Sequence, residues 1–338
     1  MKTLNLCCIG FGNVGQALAK LLVSKEDDLR EQYGITWKLT GVATRRLGWI
    51  AQPKGLPIPK LLAAKGLESF PRSEGNVRAW LKAAQADVLF EISSLEPLTG
   101  QPAIDHVRAA LRHGAHAITA NKGIVVHGYR ELRELAAAHD KRFLFESTVM
   151  DGAPIFSLFR DSLPAIEVRG FRGILNSTTN VVLSEMEAGK SLEEGIQRAQ
   201  AMGLAETDPS HDVDGWDGTM KVAALVTVLM DTPLHIDQIQ REGIRGLTGE
   251  AVREARANGH PYKLVCRAER QQGRVVASVR PEQLPESDPL ARVSASSSIV
   301  EFSTDMLPGL TITEVDPTPT TTAYGLLADF INAVRSGQ

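Results

Sequence analysis

Short apolar runs alternate with amphipathic segments through the N-terminal part of the chain. Residues 4–9 form an apolar run that ends at a glycine, and residues 14–29 carry apolar side chains at helical spacing. Further apolar runs predict strands at residues 39–43, 88–92, 117–119 and 143–147, and helical periodicity predicts helices at residues 77–86, 102–113 and 129–139. This alternation predicts an α/β fold in which crossover helices cover a parallel sheet.

The pattern changes near Glu146, where glycine and proline interrupt the chain and a long mixed segment begins. Within it we predict helices over residues 181–187 and from about Asp214 onward. The last part predicts a loop at residues 316–322 and an amphipathic helix at residues 322–335. We therefore expect residues 1–145 and 316–338 to form one domain, and residues 146–315 to form a second, α+β domain.

Composition narrows the class of protein. The 338 residues are 43% hydrophobic and 23% charged with a formal net charge of −3, which offers no general attraction for nucleic acid or an anionic membrane. No apolar stretch reaches the roughly 20 residues that a bilayer requires, and the N-terminus has no signal-peptide pattern. The three cysteines have no C-x-x-C spacing. We expect a cytoplasmic protein without disulfides.

The first strand leads into a glycine pattern, G-F-G-N-V-G, at residues 10–15. Gly10 would make the turn, Gly12 would let the backbone approach a pyrophosphate, and Gly15 would allow close packing of helix on strand. The anion would sit at the positive end of the helix. Because the pattern follows a strand and opens a helix, it predicts a Rossmann-type, doubly wound dinucleotide-binding sheet.

The charges after the second strand favour NADP over NAD. An acid would be expected there to hold the ribose 2′-hydroxyl of NAD, but residues 32–67 contain no Asp or Glu and several basic residues, including Lys65. Arg45 and Arg46 follow Thr44 directly, where an arginine can pair with the extra phosphate of NADP. A solvated basic loop is the alternative.

Three polar segments carry candidate chemistry. Lys122, in the turn Thr-Ala-Asn-Lys-Gly after a predicted strand, is placed to move a proton to or from a carbonyl oxygen, unless it is a surface lysine. Asp217 and Lys221 are spaced i,i+4 within an acidic cluster, so they share one helix face as a site or as a surface ion pair. A magnesium site at this acidic cluster is a further alternative. Residues 176–180, N-S-T-T-N, are an anion site at a helix start or ordinary helix caps.

Together these segments identify the chain as resembling the homoserine dehydrogenases, since all four motifs occur in that family's order. The last motif is the most specific, and it runs from Ala205 to Lys221 as A-E-x-D-P-x-x-D-V-x-G-x-D-x-x-x-K. The resemblance covers essentially the whole chain. It implies NAD(P)-dependent interconversion of aspartate 4-semialdehyde and homoserine, which belongs to threonine and methionine biosynthesis, and a homodimer formed through the second domain.

The resemblance also implies a set of site residues. Lys122 and Lys221 correspond to the proton-transfer groups. The substrate pocket corresponds to Glu206, Asp212, Asp217, Thr178 and Ser177. The cofactor site corresponds to Gly10, Phe11, Gly12, Asn13, Val14, Gly15, Thr44, Arg45, Arg46, Ser93, Ser94 and Lys122. A monovalent cation such as sodium would be held by Glu146, Val149, Asp151 and Ala153, partly through backbone carbonyls.

The chain departs from the family pattern around this pocket. Ser177 stands where the family has glycine, Leu204 where it has tyrosine, and Asp151 in a turn that is usually glycine-rich. A sister dehydrogenase for another small hydroxy amino acid is therefore an alternative, and a catalytically silent NADP-binding regulator is another. We also expect no C-terminal regulatory domain of the ACT type, and hence no allosteric inhibition by threonine.

Overall fold

A computed structural model describes residues 2–63, 70, 72–73 and 75–335. Lys65 of the basic stretch and the last three residues of the expected first domain lie outside the described residues. The chain divides into two compact units, one made of Met1–Pro154 and Thr318–Gln338 and the other of Ile155–Pro317. In the part of the chain that the structure describes, no helix is long and apolar enough to cross a bilayer.

The first unit is built on a six-stranded sheet in the order β3-β2-β1-β4-β5-β6. Its strands are β1 (Thr3–Ile9), β2 (Thr36–Thr44), β3 (Gly48–Ala51), β4 (Val88–Glu91), β5 (His116–Thr119) and β6 (Phe143–Leu144). All neighbours are parallel except β2 and β3, which form an antiparallel hairpin. Strand order reverses between β1 and β4, and the carboxyl ends of these two strands flank the crevice where doubly wound sheets bind ligands.

Helices connect these strands and cover the sheet. They are α1 (Asn13–Ser24), α2 (Glu26–Tyr33), α3 (Ile58–Leu62), α4 (Val77–Ala84), α5 (Ala103–His113) and α6 (Lys122–Ala138). The chain returns from the second unit as α12 (Pro319–Val334), which packs beside α1. Phe330 of α12 is fully buried and meets Phe90 of β4 edge-on, with ring centroids 5.9 Å apart. The returning helix is thus part of the core of the first unit.

Four details of the first unit differ from the sequence expectations. The helix expected over residues 14–29 is two helices that meet at Lys25, because three acidic residues start a new helix there. Helix α6 begins at Lys122 and not at residue 129, since Asn121 caps it. The strand expected at residues 143–147 ends at Leu144, and a 3-10 turn follows at Glu146–Thr148. Residues 319–322 are helical and not a loop, with Pro319 in the first turn.

The second unit is also built on a six-stranded sheet, in the order β12-β11-β7-β9-β10-β8. Its strands are β7 (Val168–Ile174), β8 (Gln240–Arg241), β9 (Tyr262–Gln271), β10 (Arg274–Gln283), β11 (Ser298–Thr304) and β12 (Leu310–Glu314), and its helices are α7 (Ser177–Glu187), α8 (Leu192–Ala201), α9 (Ser210–Val213), α10 (Trp216–Leu229) and α11 (Gly249–Ala257). All pairs except β8 with β10 are antiparallel. The sequence analysis expected an α+β unit here, but it placed none of these strands and gave no strand order.

Two helices of the second unit begin at other residues than expected. Helix α7 starts at Ser177, four residues before the apolar run that suggested it, because Asn176 accepts the backbone N–H of Thr179. Helix α10 starts at Trp216 and not near Asp214, since Gly215 before it has a φ of +80° that ends the short helix α9. Both starts place polar side chains at the carboxyl end of β7.

Candidate active site

The glycine loop in the first unit leaves room for an anion. A Cβ on Gly10, which has a φ of +90°, would lie 2.2 Å from the carbonyl oxygen of Ile92, and a Cβ on Gly15 would lie 2.7 Å from that of Gly10. Gly12 faces open space. The N-terminus of α1 has no side-chain cap and no acid in its first turn. Its backbone N–H groups and positive dipole end are therefore suited to bind a phosphate.

The turns that follow β4 and β5 lie beside the glycine loop at the carboxyl edge of the sheet. Asn121, which is 4% exposed, donates through its amide to the carbonyl oxygens of Ser93 (3.3 Å) and Ser94 (3.4 Å). Its own Oδ1 accepts the N–H of Gly123 and so caps α6. Lys122 is the first residue of that helix and is half-buried. The expected cofactor residues of the β4 and β5 turns are thus joined by hydrogen bonds.

Arg45 and Arg46 lie in the tight turn of the β2–β3 hairpin. Both side chains are exposed, and Thr44 shapes the turn by accepting the N–H of Leu47 at 2.9 Å. The sequence did not predict β3, so the structure replaces the expected loop after β2 with a hairpin. Two guanidinium groups at the carboxyl end of β2 remain available to an anionic group on a nucleotide ribose.

In the second unit, Asn176 joins two carboxylates. It is the second residue after β7, is 5% exposed, and donates through Nδ2 to Asp212 (2.7 Å) and to Asp217 (3.0 Å). Helices α9 and α10 carry these two acids to the end of the strand. A single amide therefore separates and partly neutralises two like charges.

Lys221 completes the cluster on the adjacent turn of α10. Its Nζ lies 3.1 Å from Asp217, and both side chains are 16% exposed. The ammonium also donates to the carbonyl oxygen of Leu175 at 2.5 Å. The expected i,i+4 pair is therefore partly buried and tied to the backbone just after β7, unlike a solvated surface pair.

Asp212 has a perturbed acidity. Burial and then the neighbouring charge of Asp217 raise the pKa of the Asp212 carboxyl above its ordinary value, while hydrogen bonds from Asn176 and Thr178 and the charge of Lys221 act in the opposite direction. The net rise means that ionised Asp212 destabilises the folded unit. Carboxylates with such opposed influences are typical of functional sites.

The remaining expected substrate residues are spread around the cluster. Thr178 is buried and donates its hydroxyl to the carbonyl oxygen of Leu204 at 3.2 Å. The Ser177 hydroxyl donates to the carbonyl oxygen of Ser296 at 2.5 Å. Glu206 has an exposed side chain, and its backbone carbonyl accepts from Gln200. The structure thus gathers Asp212, Asp217 and Thr178 into one group and leaves Glu206 in solvent.

The segment expected to hold a cation is a buried turn of the first unit. Glu146 is 4% and Val149 3% exposed, and the backbone N–H of Glu146 donates to Asp329 of α12 at 2.8 Å. Asp151 has a φ of +43° and accepts the Thr322 hydroxyl at 2.5 Å. Among the described residues, no group of three or more His, Cys, Asp or Glu side chains could hold a metal ion, in the acidic cluster or elsewhere. A site at this turn would therefore consist of one carboxylate and backbone carbonyls.

Asn176 has a second role that its position in the sequence does not indicate. Its type and position matched an ordinary helix cap, and it does cap α7. The bonds to Asp212 and Asp217 span 36 and 41 residues of sequence, so no local pattern indicates them.

Comparisons with known proteins agree across the whole chain. The profile of the homoserine dehydrogenase NAD-binding domain matches residues 10–146, and that of the homoserine dehydrogenase domain matches residues 154–331. An NAD(+)-dependent homoserine dehydrogenase of Pseudomonas canavaninivorans is 35% identical, with 99% of this chain and 97% of that protein covered.

Solved structures give the same result. The crystal structure of a homoserine dehydrogenase from Thiobacillus denitrificans matches with a TM-score of 0.84 at 27% identity. The match covers 99% of this chain and 74% of the Thiobacillus denitrificans chain. A mutant of a hyperthermophilic archaeal homoserine dehydrogenase in complex with NADPH has a TM-score of 0.81 at 26% identity, with 98% of each chain covered.

The raised pKa of Asp212 leads to a prediction about stability and pH. Because protonation of Asp212 favours the fold, its ionisation costs stability as the pH rises through the raised pKa. We expect Asp212→Asn to raise the midpoint of thermal unfolding at about pH 7.5, and to have a smaller effect as the pH falls toward and below the ordinary aspartate pKa, where protonation removes the destabilising charge.

Asp208→Asn is the matched control. Hydrogen bonds from Ser210 lower the pKa of exposed Asp208, so its ionised form stabilises the fold above the ordinary pKa. This substitution should lower the unfolding midpoint near neutral pH. If Asp212→Asn also unfolds earlier than the wild type near neutral pH, the assigned direction for Asp212 is wrong.

Proposed function

Because the chain belongs to the homoserine dehydrogenase family, we propose that it interconverts homoserine and aspartate 4-semialdehyde with Lys122 and Lys221 moving the proton. The observation that carries the proposal is the Asp217–Lys221 pair, which is half-buried and anchored just after β7 beside two further polar groups. When bound, the nicotinamide supplies or accepts the hydride.

The residues of this chain account for the proton. In the reducing direction, an oxygen that gains negative charge takes a proton from a lysine ammonium, which also stabilises the charge as it forms. Lys221 is held by Asp217 and by the carbonyl oxygen of Leu175, so its Nζ has a fixed position. Lys122 is fixed in a different way, as the first residue of a helix capped by Asn121.

We further propose how the amino-acid group is bound. Asp212 and Asp217 offer carboxylate oxygens to the ammonium group of the substrate, and Glu206 adds a third carboxylate from solvent. Ser177 and Thr178 start helix α7, whose N-terminal N–H groups suit the substrate carboxylate. Asn176 is added to this set as the residue that keeps the two buried acids in place.

For the cofactor we propose a preference for NADP. The glycine loop and the uncapped N-terminus of α1 fit the pyrophosphate, and two exposed arginines at the end of β2 fit a 2′-phosphate. The relative from Pseudomonas canavaninivorans is named as NAD(+)-dependent, so NAD is the competing choice. The two arginines support NADP, and so does the absence of Asp and Glu from residues 32–67, where an acid would bind the NAD 2′-hydroxyl.

We also propose a monovalent cation at residues 146–153. The buried Glu146 carboxylate and the backbone carbonyls of Val149, Asp151 and Ala153 would supply an all-oxygen set of ligands from one segment. Hard cations prefer such oxygen ligands. The cation would stabilise this turn in the first unit.

The catalytic prediction concerns the two lysines. With purified protein, homoserine and NADP⁺, we expect absorbance of the reduced cofactor to appear, and Lys122→Ala and Lys221→Ala each to lower kcat by roughly 10²–10⁴-fold. Lys82→Ala, which changes an exposed lysine of α4, is the control and should keep the wild-type rate. Serine and threonine as substrates test the alternative specificity. A lysine variant with a near-normal kcat at saturating homoserine would remove that lysine from the mechanism.

The cofactor prediction concerns the hairpin turn. Replacing Arg45 and Arg46 with alanine should raise KM for NADPH by about 10-fold or more, because a charge-assisted hydrogen bond of roughly 1.5–3 kcal/mol is lost. KM for NADH should hardly change, since NADH lacks the phosphate. Lys54→Ala, in the same basic stretch, controls for general charge effects. Equal changes for both cofactors would reject the assignment.

The last proposal is a homodimer formed through the second sheet. Cys266 and Val279 are opposite each other and face Gly218 of α10, so their neighbours Arg267 and Arg280 point to the other face. That other face carries ion pairs, Arg172 with Asp288 at 2.6 Å and Arg267 with Glu282 at 3.2 Å. Charges of both signs on one face allow a second copy to pair with it.

Sedimentation velocity at micromolar concentration should therefore give the mass of a dimer, and Arg267→Glu should shift the mass toward the monomer because it places like charges together on this face. A wild-type monomer would refute the dimer. A dimer that the substitution leaves intact would refute this face.

A further inference from the structure

A buried carboxylate with no role in the reaction lies beneath the proposed nucleotide site. Glu91 is the last residue of β4 and is 0% exposed. In the register of the sheet, Glu91 lies between Ile9 of β1 and Thr119 of β5. Ile9 and Glu91 are the last residues of their strands, so Glu91 lies level with the start of the turns that follow β1 and β4. A buried, uncompensated carboxylate is costly, so its partners indicate what it does.

One oxygen of this carboxylate is engaged and the other is not. Oε1 accepts the hydroxyl of Ser93 at 2.5 Å and lies 3.3 Å from Nδ1 of His106 on α5. Oε2 is buried and has no hydrogen-bond partner among the residues that the structure describes. Trp49 of β3 meets this His106 ring edge-on, with centroids 5.9 Å apart.

The backbone of Glu91 is tied to the second turn. Its carbonyl oxygen accepts the Thr119 hydroxyl at 2.8 Å, and the same hydroxyl accepts the N–H of Asn121 at 2.9 Å. Asn121 in turn donates to the carbonyl oxygens of Ser93 and Ser94. The side chain of Glu91 is therefore bonded to the turn after β4 through Ser93, and its backbone to the turn after β5 through Thr119.

We infer that Glu91 is a positioning residue of the nucleotide site, which orients the Ser93 hydroxyl and its turn toward the dinucleotide. The inference rests on the proposed nucleotide site in the same turns. Ser93 acts on parts that NADPH and NADH share, whereas Arg45 and Arg46 act on the 2′-phosphate. Loss of Glu91 must therefore weaken both cofactors to the same extent.

The test measures cofactor binding without amino-acid substrate, by titrating the fluorescence of NADPH and NADH with purified protein. Glu91→Met keeps the volume and removes both acceptors, and we expect Kd for both cofactors to rise about 10-fold. Glu91→Gln keeps one acceptor for Ser93 and should stay within about threefold of the wild type. Asp105→Asn, on the outer side of α5, is the control and should leave Kd unchanged.

A double-variant cycle separates positioning from general support of the fold. Ser93→Ala should raise Kd as much as Glu91→Met, and adding Glu91→Met to Ser93→Ala should have little further effect, because both act through one hydroxyl. Additive effects, or an unchanged Kd in Glu91→Met, would overturn the inference.

Ser93→Ala and Glu91→Gln test the inference if Glu91→Met does not fold. A rise of about 10-fold in the Kd of Ser93→Ala, with the Kd of Glu91→Gln near the wild type, then supports the inference. An unchanged Kd in Ser93→Ala overturns it. Failure of the wild-type protein to bind either cofactor would instead refute the proposed function.

Discussion

The polar cluster of the second unit depends on one amide between two carboxylates. Asp212 and Asp217 are close enough that the charge of one raises the pKa of the other, and Asn176 offers both of them a hydrogen-bond donor. Lys221 balances Asp217 and is itself held by the backbone just after β7. The end of β7, the start of α7 and the helices α9 and α10 are arranged so that these charges remain paired after they leave water.

The proposed nucleotide site in the first unit follows a different principle, in which backbone shape comes before charge. Gly10 and Gly15 are required because neighbouring carbonyl oxygens would clash with any side chain, and the N–H groups at the start of α1 are left for a ligand. Charged residues are confined to the edges, at the hairpin turn of Arg45 and Arg46 and beneath the β4 turn at Glu91. The proposed pyrophosphate position therefore offers backbone N–H groups, and the two arginines stand where a 2′-phosphate is proposed.

Local patterns predicted much of the first unit and little of the second. The glycine loop and the Asp217–Lys221 pair were predictable because each depends on residues a few positions apart. The break at Lys25 and the start of α12 at Pro319 also had local signals, an acidic run and a proline in the first turn, which apolar periodicity concealed. The bonds of Asn176 and the order of the second sheet depend on pairing across tens of residues, which no local pattern records.

The return of the chain into the first unit affects the order in which the two units can complete their folding during synthesis. Residues of the second unit are contiguous, whereas the first unit lacks α12, and with it Phe330 of its core, until after the second unit has been synthesised. During synthesis, the whole sequence of the second unit is therefore available before α12 is made. Until then, the surface of α1 that packs against α12 and the ring of Phe90 that contacts Phe330 stay uncovered. The part of the chain that emerges first is the part that completes its core last.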